Sequence, residues 1–339
     1  MKRNGILAAG NWIVDQVKII DAYPQQDTLA NIISVSASNG GSPYNILKDL
    51  SLLGAKFALE GAGLLGEDSF GAFILNECKL LGINCDQLFS RKGEVTSITD
   101  VMTVSGTGRR TFFHARGANG TFSESDIILE KSNSKIFHLG YLLLLTALDQ
   151  LDQKGETGAS RILKKACELG FKTSVDIVSE SSDRFASVVK PSLPHTNFLF
   201  VNEFEAGKIV GDNLMKDGKV SIPKAKIASG KLLDAGVKDW ILLHFPEGAL
   251  ASHKDGTIVF QPSLAIPMEK IQGAAGAGDA FAAGVLYALH EDWNILQALE
   301  LGVCSAGASL FHPSCSDGIP PLETFLGLGA EFGFKTNLS

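Results

Sequence analysis

The sequence predicts an α/β protein: a mainly parallel sheet with helices on both faces, and a small separate β-sheet standing off it. Three observations carry this. Short apolar, β-branched runs alternate with helical patterns along most of the 339 residues, as in strands buried between helix layers. Two segments rich in Thr, Ser and Val break the alternation and read as extended chain. Glycine, at 36 residues, follows no short period and gathers in clusters among Val, Ile and Leu, which excludes collagen and disorder.

In chain order the candidate strands are Gly5–Ala9, Phe57–Gly61, Ile136–Leu139, Thr173–Ile177, Phe198–Val201 and Trp240–His244. Helical stretches lie between them at Tyr44–Leu53, Phe70–Leu80, Ala159–Leu169 and Glu203–Val210, with further ones at Ala282–His290 and Gln297–Phe311. Within Tyr44–Leu53, Ile46, Leu47, Leu50 and Leu53 share one face at helical spacing. The extended segments are Val14–Ser38 and Val95–Arg116, and strands from these two places can pair into one small sheet. Asp255-Gly256 marks a hairpin between Ala249–His253 and Thr257–Phe260. No repeat or Pro-rich linker divides the chain, so we expect one domain with a small sheet inserted, ending in a glycine-rich surface tail.

Thirty basic against 37 acidic residues give a net charge of −7, which argues against a nucleic-acid partner. The five cysteines form no C-x-x-C pair and read as buried thiols of a reducing compartment, not as a disulfide frame or zinc site. The apolar stretch before Asn11 is too short for a signal peptide, and the run around Leu139–Leu145 too short for a membrane span. Asn119-Gly120-Thr121 and Asn337-Leu338-Ser339 match a glycosylation sequon, but nothing else suggests secretion. A cytoplasmic protein without a membrane partner is expected.

Three glycine clusters hold the candidate chemistry. Gly61-Ala62-Gly63-Leu64-Leu65-Gly66 is a literal G-x-G-x-x-G after a strand, with Asp86 twenty residues beyond, as in a dinucleotide fingerprint. Glu67 and Asp68 lie where a pyrophosphate would sit, however, and Asp68 or Ser69 suits a helix cap, so a structural turn is the alternative. Asn39-Gly40-Gly41-Ser42-Pro43-Tyr44-Asn45 places bare backbone beside a first helical turn, open to a polar ligand or an ordinary helix start. Gly273-Ala274-Ala275-Gly276-Ala277-Gly278-Asp279 strips side chains from a loop whose N–H groups converge at a helix N-terminus, a ready anion hole. Asp279 there is either a plain cap or a carboxylate aimed at a nucleophilic hydroxyl. No P-loop motif is present.

Taken together, these residues resemble a specific family. Gly276–Gly284 (G-A-G-D-A-F-A-A-G) resembles the C-terminal signature of the ribokinase-type, or PfkB, carbohydrate kinases. Asn39–Asn45 with Leu53-Gly54-Ala55 resembles the N-terminal signature, Gly63–Gly71 a turn typical of the family, Val201–Ala206 the N-x-x-E element and Thr107–Phe112 the strand before the substrate loop. The matches run in family order over nearly the whole chain.

The resemblance implies a ribokinase-like three-layer sandwich over residues 1–339, with lid segments near 14–38 and 95–117, and transfer of the ATP γ-phosphoryl group to a sugar or nucleoside hydroxyl. It implies that Asp279 is the base and that the backbone of Gly276, Ala277 and Gly278 stabilises the transferring group. An aspartate at a helix N-terminus is expected to have a lowered pKa. Asn202 and Glu205 would organise Mg²⁺, with Glu205 acting through water. Asp15, Gly40, Gly41, Asn45, Arg116 and Asn119 would bind the sugar. His244 and Gly248 would line the nucleotide loop, with Cys304, Gly307 and Ala308 forming a flat adenine slot. Three departures stand out: Gly273 and Ala275 where the family has Asp and Thr, which puts K⁺ dependence in doubt; Phe245 in the nucleotide loop; and Asp176-Ile177-Val178-Ser179 for a D-x-N-like element. The G-G-x-P-x-N loop resembles fructokinase-type members, so a ketohexose leads, with a nucleoside next because Trp12, Phe112 and Phe113 could line its pocket. An NAD-dependent dehydrogenase and a sugar sensor that binds without transfer are the rivals. A homodimer through the lid is implied by the resemblance.

Overall fold

The computed structural model describes residues 3–336, so the sequon at Asn337 lies outside the described residues. The first half runs β1 (Ile6–Gly10), β2 (Ile13–Ile20), β3 (Ile32–Gly40), α1 (Ser42–Leu52), β4 (Leu59–Gly66), α2 (Ser69–Leu80), β5 (Asn84–Arg91), β6 (Ser97–Val104), β7 (Arg110–Ala115) and β8 (Ile136–Leu142). Next come α3 (Gly158–Glu168), β9 (Lys172–Ile177), α4 (Phe185–Val189), β10 (Phe198–Asn202), α5 (Glu203–Val210), a ribbon of β11 (Met215–Lys216) and β12 (Lys219–Val220), and α6 (Ile222–Asp234). The chain ends with β13 (Trp240–Phe245), β14 (Gly248–His253), β15 (Ile258–Pro262), α7 (Ala277–His290), α8 (Ile295–Ser309) and α9 (Leu322–Phe332).

The large sheet has the order β15-β14-β13-β10-β9-β8-β1-β4-β5, parallel from β13 to β5 and closed at the other edge by the antiparallel β13–β14–β15 meander. Its strands are apolar on both faces because both faces are covered. In β1, Ile6 and Ala8 enter the core under α1, α2, α7, α8 and α9, while Leu7 and Ala9 enter the core under α3 to α6. The two extended segments form a separate four-stranded sheet, β3-β2-β6-β7, antiparallel except for its central β2–β6 pair. Cross-strand register puts Asp15, Ser38, Thr99, His114, Phe112 and Arg110 on one face of it, turned toward the large sheet's loops.

Several expectations change. Gly61–Gly66 is no turn: it is the body of β4, and the indole of Trp12 lies against Gly61 and Gly63, where any Cβ would collide with it. The turn comes after Gly66, where Asp68 caps α2 by accepting from the Gly71 N–H at 2.8 Å. A dinucleotide fingerprint is thereby excluded, since no glycine is free to approach a pyrophosphate. The helix expected to start at Ala282 starts at Ala277, because Gly276 takes φ +75°, a left-handed conformation only glycine adopts cheaply. Of the dozen residues expected as a glycine-rich surface tail, residues 328–332 belong to α9, a helix that buries Phe325 and Leu328 in the core. Asn119 is fully buried, so its sequon has no glycan acceptor. Among the described residues no helix is long and apolar enough to cross a membrane, and the cysteines are unpaired.

Candidate active site

Parallel strands open their C-terminal ends to one side, and the polar residues of the chain collect there. Asn11 follows β1, Tyr141 lies near the end of β8, Asp176 near the end of β9, Asn202 ends β10 and His244 lies near the end of β13. Facing them is the N-terminus of α7. Ala277 and Gly278 are its first residues, with backbone N–H groups that lack intrahelical partners, and Asp279 follows one position later.

Asp279 is 5% exposed. Its Oδ2 accepts from Asn45 Nδ2 at 2.7 Å and from the Tyr141 hydroxyl at 2.6 Å, while Oδ1 has no partner. Asn45 is itself oriented by Asn39, whose Nδ2 donates to Asn45 Oδ1 and to Ser316 Oγ, both at 2.7 Å. The expected fall in the Asp279 pKa is corrected: burial pushes it up to about 6, and Tyr141, Asn45 and the neighbouring Asp176 only partly offset this. Desolvation outweighs the helix dipole because the carboxyl lies inside the fold, not at an exposed cap. Asp176 is buried beside it, held well above the usual carboxylate range by burial and by the charge of Asp279. Ser42 Oγ donates to Asp176 at 3.3 Å and also meets His138 Nε2 at 2.8 Å, the imidazole being kept neutral by burial, with a pKa near 3.

Asp15 projects from the lid toward the same place. Burial raises its pKa to about 7, moderated by Thr99 and by the Cys315 thiol, which donates to Oδ2 at 3.7 Å. Gly40 is required opposite it, since a Cβ there would collide with the Asp15 carboxylate. Gly41, at φ +86°, caps α1 and turns the chain into the helix that carries Asn45.

On the other side of α7 lies a cavity of ≈ 640 Å³ lined by Asn202, His244, Gly248, Gly278, Val303, Ala306, Gly307 and Leu310, among others. That size suits a nucleotide. The slot uses a neighbouring face of α8: Gly307 lines it as expected, but Cys304 and Ala308 are packed into the core instead. Phe245 and Pro246 form part of the wall. Asn202 and Glu205 cap α5 reciprocally, Glu205 N to Asn202 Oδ1 and Asn202 N to Glu205 Oε2, both at 2.9 Å. Ser179 donates to the other Glu205 oxygen at 2.7 Å, and burial lifts the Glu205 pKa to about 7.

Three residues expected to bind substrate or base do other work. Arg116 donates to the Leu144 carbonyl at 2.9 Å and to Thr146 Oγ1 at 3.2 Å, fastening the loop after β8. Asn119 brackets the Trp12 backbone, accepting from its N–H at 3.4 Å and donating to its carbonyl at 3.0 Å. Trp12 is fully buried, stacked on Tyr44, with Nε1 donating to the Ala62 carbonyl at 2.9 Å. Sequence reasoning missed Tyr141, which sits in a run weighed only as too short for a membrane span, and gave Asp176 and Arg110 no role. The signal for the first two was positional: both stand where parallel strands end.

Comparison with known proteins gives the family. The profile of the pfkB family carbohydrate kinases matches residues 9–322. The chain belongs to the PfkB family of carbohydrate kinases. Like the family, this PfkB protein is a sugar kinase with a ribokinase-like fold. It is 26% identical over 296 residues to a 5-dehydro-2-deoxygluconokinase of Clostridium beijerinckii, covering 84% of this chain and 81% of the relative. It is 22% identical over 308 residues to the ketohexokinase of Mus musculus, covering 91% and 96%. The ribokinase of Arabidopsis thaliana, solved with ribose and ATP, shares its fold with a TM-score of 0.77 at 20% identity, covering 96% of this PfkB chain and 98% of the ribokinase.

Proposed function

We propose that this kinase transfers the γ-phosphoryl group of ATP to a hydroxymethyl group of a small sugar, a ketose first among candidates, with Asp279 as the base. One observation carries the reading: a buried carboxylate with an unpartnered oxygen stands beside the bare N–H groups that open α7. Oδ1 is free to accept the acceptor's proton, while Asn45 and Tyr141 fix Oδ2. The N–H groups of Ala277 and Gly278 would stabilise charge on the transferring group, and a loose transition state asks little more of the protein. Asp15, Gly40, Gly41 and Asn45 form the sugar side. His244, Gly248 and Gly307 form the nucleotide side. ATP bound with Mg²⁺ supplies the phosphoryl group and part of its charge neutralisation. Both Glu205 oxygens are already engaged, which supports a contribution through water and not as a direct ligand. The burial of Trp12 favours a sugar over a nucleoside, because it removes one of the aromatic residues that could stack on a base.

We place the enzyme in the cytoplasm, in keeping with its unpaired thiols. We also read the lid as the homodimer surface: Val35 and Phe113 lie exposed on the face turned away from Asp15. An ADP-release screen over ketoses, aldoses, sugar acids and nucleosides tests the function. Turnover is expected with a small sugar; ATP–Mg binding without phosphoryl transfer to any acceptor would favour a sensor.

A further inference from the structure

Asp49 lies one turn beyond Asn45 on α1 and is 1% exposed. Among the described residues no other group bonds its carboxyl oxygens at normal geometry, and the hydroxyl beside them is that of Ser316. Ser316 is fully buried, and its Oγ already accepts from Asn39 Nδ2 at 2.7 Å. Its own proton therefore points elsewhere, and Asp49 is the acceptor on that side. Lys48 and Asp317, their neighbours in the chain, pair at 2.9 Å and fasten α1 to the loop before α9 at this point. From Ser316 the hydrogen bonds run on in one direction. Asn39 Nδ2 also donates to Asn45 Oδ1, and Asn45 Nδ2 donates to Asp279 Oδ2, each at 2.7 Å. Asn39 Oδ1 stays buried and unpartnered, so that amide keeps both donors on this line at the expense of its oxygen. An amide fits either way round. Turned over, Asn39 would accept from Asn45, and Asn45 would set its carbonyl oxygen against the Asp279 carboxylate.

We propose that Asp49 is a positioning residue for the base: as the acceptor that ends the line Asp49–Ser316–Asn39–Asn45–Asp279, it fixes which way both amides point. The inference rests on Asp279 being the base. Asp279 is faced by Asp15 from the lid, Asp49 from α1, Tyr141 from β8, Asp176 from β9, Glu205 from α5 and Cys315 from the loop before α9. All six are acids and none is a cation, so the ionised base depends on its hydrogen-bond donors, Asn45 and Tyr141. Asp49 itself is faced by Lys48, Ser316, Asp317 and Asp279. Burial holds it well above the ordinary carboxylate range, so at neutral pH it accepts through the carbonyl oxygen of a neutral acid. An amide at this position would serve as well, and a hydrocarbon side chain would not.

The test titrates Asp279 by NMR in the ligand-free protein labelled with ¹³C at the aspartate carboxyls, its resonance assigned from Asp279→Asn. Asp49→Leu and Ser316→Ala are each expected to raise its pKa by about one unit, as loss of a hydrogen bond to a charged group does. Asp49→Leu added to Asn45→Ala should shift it no further than Asn45→Ala alone, because the first residue acts through the second. Asp49→Asn keeps an acceptor oxygen and should restore the wild-type titration. Lys48→Gln loosens the same junction without touching the line, and should lower the melting temperature while leaving the titration in place. Thermal melting verifies that the variants fold. The acid limb of kcat/KM, with the acceptor found in the ADP-release screen, should move with the titration. Full turnover by Asp279→Asn would defeat the base reading and this inference with it. An Asp279 titration unmoved in both Asp49→Leu and Ser316→Ala would overturn the inference and leave the kinase reading standing.

Discussion

The side-chain amide of Asn45 donates to Asp279 Oδ2 across 2.7 Å, joining the first turn of α1 to that of α7. One signature supplies the carboxylate and the other holds it, more than two hundred residues apart in the chain. Asp279→Asn keeps the shape and removes the proton acceptor. It is expected to cut kcat by about 10²–10⁴-fold while calorimetric sugar binding persists. Turnover within tenfold of wild type would mean that another group takes the proton.

The pH profile follows from the burial of that carboxylate. A base must be ionised, and burial lifts Asp279 to about 6, so kcat/KM should rise through an acid limb near pH 6 and not near 4. Because Asp176 shares the site, the limb belongs to the pair. Asn45→Ala removes a bond that favours the ionised form and should move the limb to higher pH. A limb that stays put in this variant would show that Asn45 does not tune the base.

The alternation of apolar runs and helical periodicity was enough to foretell a parallel sheet between helix layers, because burial on both faces leaves its mark on every strand. The two lid segments were legible for the opposite reason: they are polar and extended. What failed was local. Gly61–Gly66 spells a phosphate-binding turn, yet Gly61 and Gly63 make room for Trp12, a contact 49 residues away in sequence at its shortest, and Gly66 for the backbone of Val95 and Thr96. Arg116 and Asn119 have side chains that could serve a ligand or the backbone, and only the fold reveals Leu144 and Trp12 as their partners. Asp279 was read at a helix start, where it lies, but given the wrong pKa shift, since helix position is read from sequence and depth of burial is not.

Trp12 and Gly63 give a stability test. A Cβ on Gly63 would lie 2.6 Å from Trp12 Nε1, which is committed to the Ala62 carbonyl and cannot move freely. Gly63→Ala should therefore destabilise by about 1–3 kcal/mol, as overpacking of a filled core does. Urea denaturation would report it as a lower midpoint at unchanged m-value. A neutral result would mean that the indole has room to shift. NAD should bind neither form.

Monovalent cations should be dispensable. Gly273 provides no carboxylate, and the space beside it is bounded by Arg110 and the His312 carbonyl. Turnover in potassium chloride, sodium chloride and tetramethylammonium chloride at equal ionic strength is expected to agree within twofold. Tenfold activation by K⁺ would show that other oxygens hold a cation there.

The buried acids also set how stability depends on pH in the ligand-free protein. Burial raises Asp15 and Glu205 to about 7 and Asp279 to about 6, above the ordinary carboxylate values near 4 that they regain on unfolding. Each therefore contributes stability that is complete below its unfolded pKa and lost as pH climbs through its folded one. His138 and His244 act oppositely: burial lowers them to about 3 and about 4, so the folded form loses ground as pH drops below the ordinary histidine value near 6.5. The two groups oppose each other below pH 6, and above 6.5 only Asp15 and Glu205 are still losing their protons, a process that ends just above 7. The melting temperature is expected to decline between pH 6.5 and about 7.5 and to level off toward pH 8. Asp15→Asn should flatten the decline, because an amide has no proton to give up. A melting temperature that rises steadily from pH 6.5 to 8 would show that these carboxyls are ionised throughout and that a cation lies beside them.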